Sequence, residues 1–390
     1  MTHILYLAWR YLLFNRIKTL VLVVSIGLVL FLPSGLHVLV EQGGGTLTAR
    51  AAATPLLIGP VGSASDLTLS SLYFRTPTLD ALTFDQVGRV NDSGLALGIP
   101  LHLRYAVEDH PIVGTTLDYF VFRGLSIVLG RQMTMLGECV LGAKVATALR
   151  VTVGDTVMST PAGAFDVAGT FPLKMPVVGI CESTGTADDN ALFVDLKTSW
   201  VIGGLAHGHE DVTAPGAEEG VLRREAGNVV ANAAVLSYTE ITPENLDSFH
   251  FHGDPALFPV DAVIAVPRDR KSGILLRGRY QADQTSVQML VPLKVIQDLL
   301  DTVFAVRDYV VLAGVGVALA ALAITALVFT LSIRLRAREI ETIRKIGGGT
   351  RRLLGILSAE IVIVVVAGVG LAALLTGVVS RFGDLLIRMV

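Results

Sequence analysis

This sequence is poor in charge and in cysteine. Only 17% of its 390 residues are charged and 52% are hydrophobic, whereas a soluble domain carries about 25% charge. The formal net charge of -3 provides no strong field for nucleic acid, which we therefore do not expect as a partner. The two cysteines, Cys139 and Cys181, lack a CxxC spacing, which argues against a thiol-redox enzyme. They are either disulfide-bonded in an oxidising compartment or buried as free thiols.

Several motifs of catalysis are also missing. The sequence has no GxxxxGK[ST] phosphate-binding loop, so we do not expect this chain to hydrolyse ATP itself. It has neither a GxSxG nucleophile elbow nor an HExxH helix, which excludes the common hydrolases. We therefore predict that the chain is not an enzyme and has no catalytic residues.

The apolar residues are concentrated in three long runs, at 20–40, 309–333 and 361–379. A helix over the first run is about 31 Å long, which matches a hydrocarbon core of about 30 Å. A signal peptide is the competing interpretation, but this run is longer than a usual apolar signal core, so we expect an uncleaved anchor. The sequence thus predicts three transmembrane helices.

Basic residues near the runs predict the orientation. Arg10, Arg16 and Lys18 precede the first run, and seven arginines and lysines lie within 334–352. By the positive-inside rule both segments face the cytoplasm. We therefore expect, in chain order, a cytoplasmic N-terminus, a first span, an extracytoplasmic domain, a second span, a cytoplasmic segment, a third span and an external tail, at 1–19, 20–40, 41–308, 309–333, 334–352, 353–379 and 380–390.

The long region between the first two spans has the mixed pattern of an α+β domain, with one or two subdomains. Short strands are predicted at 155–158, 165–168 and 191–195, and 137–149 favours a strand followed by a helix. The stretch 206–227 is predicted as an exposed loop or a break between subdomains. The apolar spacing of 291–306 favours a helix that continues into the second span. The expected fold class is a membrane α-helical protein with three transmembrane helices and a large mixed α+β extracytoplasmic domain.

Histidine is unusually placed in this region. Four of the eight histidines form two His-x-His pairs, and acidic residues follow each pair. Residues i and i+2 of a strand point to the same face, so the pairs can supply nitrogen ligands to zinc or another transition metal. The alternative is a solvated polar patch. The candidate metal ligands are His207, His209, His250 and His252.

The basic segment after the second run carries a further pattern. Ile340, Ile343 and Ile346 recur every three residues among charged side chains, which predicts a short amphipathic helix. Three glycines at 347–349 are typical of a helix end. Such a helix can dock into a groove on a cytoplasmic partner.

These residues resemble the coupling segment of MacB, LolC and FtsX-type ABC permeases. The similarity covers the segment 338–352, the stretch 357–360 before the third run, the stretch 15–19 before the first, and external motifs at 113–120, 123–125, 130–131, 137–142 and 153–156. The family normally has four spans and a cytoplasmic C-terminus, whereas this sequence has three apolar runs.

The resemblance implies a permease subunit that works as a homodimer or paired permease with a separate cytoplasmic ABC ATPase. It implies a multi-pass protein of the bacterial inner (plasma) membrane whose external domain faces the periplasm or exterior. That domain would act on a lipoprotein, a small molecule or an envelope partner such as an adaptor. The residues that the resemblance places against the ATPase are Arg338, Glu339, Ile340, Ile343, Arg344 and Ile346.

Two other functions agree with the sequence. The histidine pairs and the three-span pattern also suit a membrane-anchored protein that binds a metal or ligand without transport. An anchored metal-dependent enzyme is the third alternative, and it requires a metal with an open coordination position and a general base.

Overall fold

The chain divides into two units in a computed structural model. The membrane unit contains residues 1–49 and 297–390, and the external unit contains residues 50–296. The structure describes residues 2–160, 172–208, 221–225, 228–231, 238–282, 287–335, 337–345 and 350–387. The predicted strand at 165–168 lies outside these ranges.

Eleven α-helices occur in the described part of the chain. They are α1 (Thr2–Phe14), α2 (Arg16–Ala52), α3 (Ala64–Tyr73), α4 (Asp85–Asp92), α5 (Leu117–Arg123), α6 (Ala143–Leu149), α7 (Leu196–Ile202), α8 (Arg270–Ala282), α9 (Pro292–Leu335), α10 (Ala337–Lys345) and α11 (Thr350–Ile387). Short 3-10 helices lie at Ala187–Asn190, Leu246–Ser248 and Pro255–Leu257.

The strands of the same residues all lie in the external unit. They are β1 (Leu56–Pro60), β2 (Leu82–Thr83), β3 (Ala96–Val107), β4 (His110–Thr115), β5 (Ile127–Gly130), β6 (Cys139–Leu141), β7 (Thr156–Met158), β8 (Lys174–Cys181), β9 (Leu192–Asp195), β10 (Ala206–His207), β11 (Val221–Glu225), β12 (Asn228–Ala231), β13 (His250–Phe251), β14 (Pro259–Val260), β15 (Ala262–Pro267) and β16 (Val287–Leu290).

Three helices of the membrane unit are long and apolar enough to span a bilayer: Arg16–Ala52, Tyr309–Leu335 within α9, and Leu354–Phe382 within α11. Their side chains are mostly exposed because lipid, rather than protein, surrounds such a surface. Within the unit, Leu22, Ile26, Phe329 and Val364 of these helices form a small buried cluster. This agrees with the three predicted spans.

Glycine allows two of these helices to approach closely. A Cβ atom at Gly368 of α11 would lie 2.6 Å from Cγ2 of Ile26 on α2, and one at Gly27 of α2 would lie 2.7 Å from Cδ2 of Leu371. By contrast, a Cβ at Gly370 or Gly377 would meet nothing within 4 Å. Only part of the glycine content of the spans therefore serves helix packing.

A ten-stranded mixed sheet forms the centre of the external unit. Its order is β16-β1-β15-β3-β4-β9-β6-β8-β5, with β7 paired to β8. The pairs β4–β9 and β6–β8 are parallel, and the other pairs in the sheet are antiparallel. Strand β1 is buried throughout because it lies between two other strands and reads as a continuous apolar run.

Two hydrophobic clusters pack against this sheet. One includes Ile112, Leu141 and Val194, and the other includes Ile58, Trp200 and Val263. Each cluster draws residues from several strands and at least one helix, so the sheet is stabilised by separate apolar contacts along its width.

Several local predictions are confirmed, and one is wrong for part of its residues. The predicted strand and helix at 137–149 are β6 followed by α6. Helix α9 begins at Pro292 and continues without a break into the second span, as the spacing of 291–306 predicts. The predicted loop at 206–227 contains strands at Ala206–His207 and Val221–Glu225. Both segments form their ladders with other strands, which local composition does not reveal.

The two cysteines are free thiols, and both are buried. Cys139 pairs with Val177 in the β6–β8 ladder, four residues from Cys181 along the same strand. That separation along an extended strand is too long for a disulfide. Burial raises the pKa of the Cys181 thiol to about 12, so the thiol stays protonated and unreactive at neutral pH.

Candidate functional site

The segment between the second and third spans forms helix α10 (Ala337–Lys345), as its spacing predicts. Five of the six predicted coupling residues, namely Arg338, Glu339, Ile340, Ile343 and Arg344, lie on this helix. Ile346 and the glycines that follow lie outside the described residues. The role of these residues stays a prediction.

One face of α10 is exposed and polar. Arg338, Glu341, Thr342 and Lys345 are exposed, and their spacing of i, i+3, i+4 and i+7 places them on one side of the helix. Lys345 Nζ lies 3.1 Å from Glu341 Oε1, an exposed pair of the kind that adds about 0.3–0.5 kcal/mol to a helix. The Thr342 hydroxyl donates to the Arg338 carbonyl at 2.9 Å.

A buried charge cluster holds the residue at which the external unit begins. Arg50, in the last turn of α2, donates from Nη1 to Asp188 Oδ2 at 2.6 Å and from Nη2 to Asp188 Oδ1 at 3.0 Å. The same guanidinium donates to the Leu72 carbonyl and to the Tyr119 hydroxyl. Arg50 is 8% exposed and Asp188 is 3% exposed. Such a two-pronged pair fixes both position and orientation of the arginine.

The negative charge of Asp188 is compensated by Arg50 and by hydroxyl donors. Burial acts to raise the pKa of Asp188, but the hydrogen bonds and charge of Arg50 hold that pKa below its ordinary value. The Tyr119 hydroxyl donates to Asp188 Oδ1 at 2.7 Å, and the Thr186 hydroxyl donates to Oδ2 at 2.8 Å. Burial raises the pKa of Tyr119, so the phenol remains a donor.

Glycine positions the acidic partner of Arg50. A Cβ at Gly142, which precedes α6, would lie 2.3 Å from the Asp188 carbonyl oxygen and 2.6 Å from that of Asp189. The backbone carrying Asp188 therefore packs directly against the start of α6. Any larger residue at position 142 would displace a carboxylate on which the buried arginine depends.

A second ion pair closes the loop between β5 and β6. Arg131 binds Glu138 through both terminal nitrogens, and the Glu138 carboxylate also accepts from the backbone N–H groups of Thr134 and Met135, at 2.8 and 3.1 Å. Burial acts to raise the pKa of Glu138, but these four donors lower it to about 2. Positions 131 and 138 belong to the external motifs on which the family resemblance rests.

Three of the four predicted metal ligands lie together. Strands β10 and β13 pair antiparallel with His207 directly opposite His250, and His252 follows two residues later. The ring centroids are 5.1 Å apart for His207 and His250, 4.6 Å for His207 and His252, and 4.8 Å for His250 and His252. One ligand atom from each lies within 4.8 Å of the others. The fourth candidate, His209, lies outside the described residues.

Asp254, the acidic residue that follows the second histidine pair, is engaged in capping a helix. Asp254 caps the 3-10 helix Pro255–Leu257, where its Oδ1 accepts from the Ala256 N–H at 2.9 Å. The backbone under the histidines is fixed by core contacts: Ala206 is buried, and the Phe251 ring packs against Trp200 and Phe258. Phe251 thus packs inward, whereas His250 and His252, the residues before and after it, are exposed.

Three candidate spans and a large mixed α/β external unit inserted between the first two define a multi-span membrane protein with an extracytoplasmic domain. A family model described as the MacB-like periplasmic core domain matches residues 39–234. The chain therefore belongs to that family, among the MacB- and FtsX-type ABC transporter permeases. This confirms the resemblance and the fold class predicted from the sequence.

Two solved structures are similar to this chain at low identity. The periplasmic region of MacB from Actinobacillus actinomycetemcomitans is 11% identical, with a TM-score of 0.36, covering 65% of this chain and 97% of that one. The extracellular domain of YknZ, a noncanonic ABC-type transporter from Gram-positive bacteria, is 8% identical, with a TM-score of 0.33, covering 60% and 98%. No curated protein matches the chain. The family match carries the assignment.

No individual role was predicted from the sequence for Arg50, Asp188 or Glu138, although Glu138 lies within the family motif at 137–142. A single arginine after a long apolar helix was a usable signal, because its charge must leave the bilayer or find a partner. Asp188 carried no signal, since its partner is distant in the chain and the contact exists only after the sheet has formed.

Proposed function

We propose that this chain is the permease subunit of an ABC-type export or mechanotransmission complex, in which a separate cytoplasmic ATPase acts on α10. ATP hydrolysis takes place in the partner. The observation that carries the proposal is a short helix with an exposed polar face, held between two candidate spans, in a chain of the ABC permease family.

The orientation required by this proposal is the one that the basic residues predict, with α10 in the cytoplasm and the external unit on the opposite side. The isoleucines at positions 340 and 343 are three residues apart, which is the spacing of an anchoring stripe for a groove. The polar residues of the exposed face would remain in water when the helix docks.

Two helices offer routes for movement along the chain. Helix α9 is continuous from Pro292 to Leu335, so a force applied next to α10 is transmitted by a hydrogen-bonded backbone rather than by a loop. Helix α2 ends at Ala52, and its last turn holds Arg50 in the buried charge cluster. We infer that ATP-driven displacement of α10 moves the external domain through these helices.

The external domain then does the work, on a lipoprotein, a small molecule or an envelope partner, with the complex assembled as a homodimer or paired permease in the bacterial inner membrane. This substrate range follows from the family. The three apolar runs of the sequence contain no cluster of charged residues that would mark an ion path. This also suits work outside the bilayer.

The test uses the full chain co-expressed with its candidate ATPase and purified in detergent. In the Ile343→Asp variant a carboxylate replaces an apolar anchor, so we expect co-purified ATPase and its stimulated activity to fall at least tenfold, which corresponds to about 1.4 kcal/mol.

The matched control is Thr342→Asp, which adds the same charge to the exposed face of the same helix. It should retain association and stimulation. Wild-type association and ATPase stimulation in the Ile343→Asp variant would refute the proposed role of α10.

A further inference from the structure

We propose that His207, His250 and His252 form a binding site for a divalent transition-metal ion, with zinc as the expected occupant. His207 and His250 are directly opposite each other in the β10–β13 ribbon, and His252 follows immediately after it in the same cluster. Nothing in the coupling mechanism requires such a cluster, so the site is a second, independent property of the external unit.

The spacing suits a small ion. Zinc–nitrogen bonds of 2.0–2.1 Å in a tetrahedral site require ligand nitrogens about 3.4 Å apart. The ligand atoms of the three histidines lie within 4.8 Å of one another. Metal binding would therefore require rotation of the imidazole rings by about 1 Å at the ligand atoms, on a backbone whose register already pairs His207 with His250.

Two features of the surrounding backbone prepare the cluster for binding. Nδ1 of His250 lies 3.0 Å from the Ser248 carbonyl oxygen, and because a carbonyl oxygen only accepts, this contact favours the tautomer that is protonated at Nδ1. The His252 backbone N–H donates to the Leu205 carbonyl at 3.0 Å, which holds β13 against the strand that carries His207.

The donor set decides the class of ion. Within the described residues the group consists of three imidazoles without a carboxylate, and imidazole nitrogen favours zinc, copper and nickel over calcium or magnesium. His250 and His252 are exposed and His207 is half-buried, so an ion can enter from solvent. Three protein ligands leave the fourth tetrahedral position for water or for a group on a bound partner.

Binding would tie together parts of the chain that are distant in sequence. His207 and His250 are separated by more than forty residues, and a metal between them closes that loop in the folded state. Zinc should therefore stabilise the external unit. At a concentration of 100 times the dissociation constant, we expect its melting temperature to rise by about 5–10 °C.

The test measures zinc binding to the full chain, purified with a histidine-free affinity tag and stripped with a chelator that is then removed. Isothermal titration with zinc chloride should give one ion per chain. His250→Ala and His252→Ala should each weaken binding at least tenfold, and the melting-temperature rise should disappear. Cobalt(II) should give visible absorption bands of a nitrogen-bound ion in the wild type and lose them in both variants.

His110→Ala is the matched control, because it removes an imidazole from the same unit, on β4. It should bind zinc as the wild type does. Melting curves without metal should coincide for the wild type and the two exposed-histidine variants, which shows that the variants are folded. Absence of stoichiometric zinc binding to the wild type, or equal binding by the folded His250→Ala and His252→Ala variants, would overturn the proposal.

Discussion

Individual residues of the external unit carry charges that survive burial because each has its partners. Arg50 meets both oxygens of Asp188, and Glu138 meets both terminal nitrogens of Arg131. Taking a charge out of water costs several kcal/mol unless a partner and further hydrogen bonds compensate. These positions are therefore the ones at which a single atom change has a large effect.

Asp188→Asn removes the charge opposite Arg50 at almost constant volume. We expect it to lower the free energy of unfolding by about 3–5 kcal/mol, since a buried guanidinium is left without its carboxylate. Denaturant titration of the purified protein, followed by fluorescence of the buried Trp200, measures the loss.

Asp118→Asn is the control, because Asp118 is exposed on α5, and its effect should stay within about 0.5 kcal/mol. The double variant Arg50→Met, Asp188→Asn should lose less than the sum of the two single changes. Simple additivity would mean that the pair is not coupled.

Because the pKa of Glu138 is lowered, we expect the protein to lose stability in acid. Its pKa is lowered to about 2 from 4.5, so its contribution is fully present above about pH 4.5 and is lost as the pH falls towards about 2. In the Glu138→Gln variant the melting temperature should be lower at neutral pH and should fall less steeply over that interval. Parallel melting-temperature curves for the two proteins would show that Glu138 is not the source of the slope.

At the scale of whole elements, the contact of α2 with α11 depends on glycine. A methyl group at Gly368 would overlap Ile26, and overpacking of this kind costs about 1–3 kcal/mol. We expect Gly368→Ala to lower the melting temperature of the detergent-solubilised protein.

Gly370→Ala provides the comparison, because a Cβ there meets nothing within 4 Å and the gain in helix propensity is the same in both variants. It should leave the melting temperature unchanged or higher. Adding Ile26→Ala to Gly368→Ala should restore part of the loss. A Gly370→Ala variant as destabilised as Gly368→Ala would contradict the close contact.

Secondary structure was predictable where one element carries a long or strongly periodic pattern. The three spans, α9 and α10 followed from apolar runs and spacing. The strands within 206–227 did not, because each of them is stabilised by pairing and not by its own composition.

For the molecule as a whole, function depends on which side of the membrane each part occupies. The orientation predicted from the basic residues is testable by cysteine labelling, because the two native cysteines are buried, at 0% and 3% exposure. Thr342→Cys on α10 and Val121→Cys on the external unit introduce exposed thiols, Val121 being 84% exposed.

A membrane-impermeant maleimide added to intact spheroplasts should label Val121→Cys and should label Thr342→Cys only after the cells are opened. The reason is that α10 lies in the segment rich in arginine and lysine, which the positive-inside rule predicts on the cytoplasmic side. Labelling of Thr342→Cys in intact spheroplasts would reverse the topology and remove the ATPase from reach of α10.

The sequence by itself determined the class of this protein: the length and hydropathy of three runs, the charge asymmetry around them and the motifs of the ABC permease family are all local properties of the chain. Tertiary structure alone decided which distant residues meet. The register of β10 with β13 placed His207 beside His250, and the packing of Gly142 brought Asp188 to Arg50. Such contacts join residues far apart in the chain, and composition and periodicity report only on neighbours.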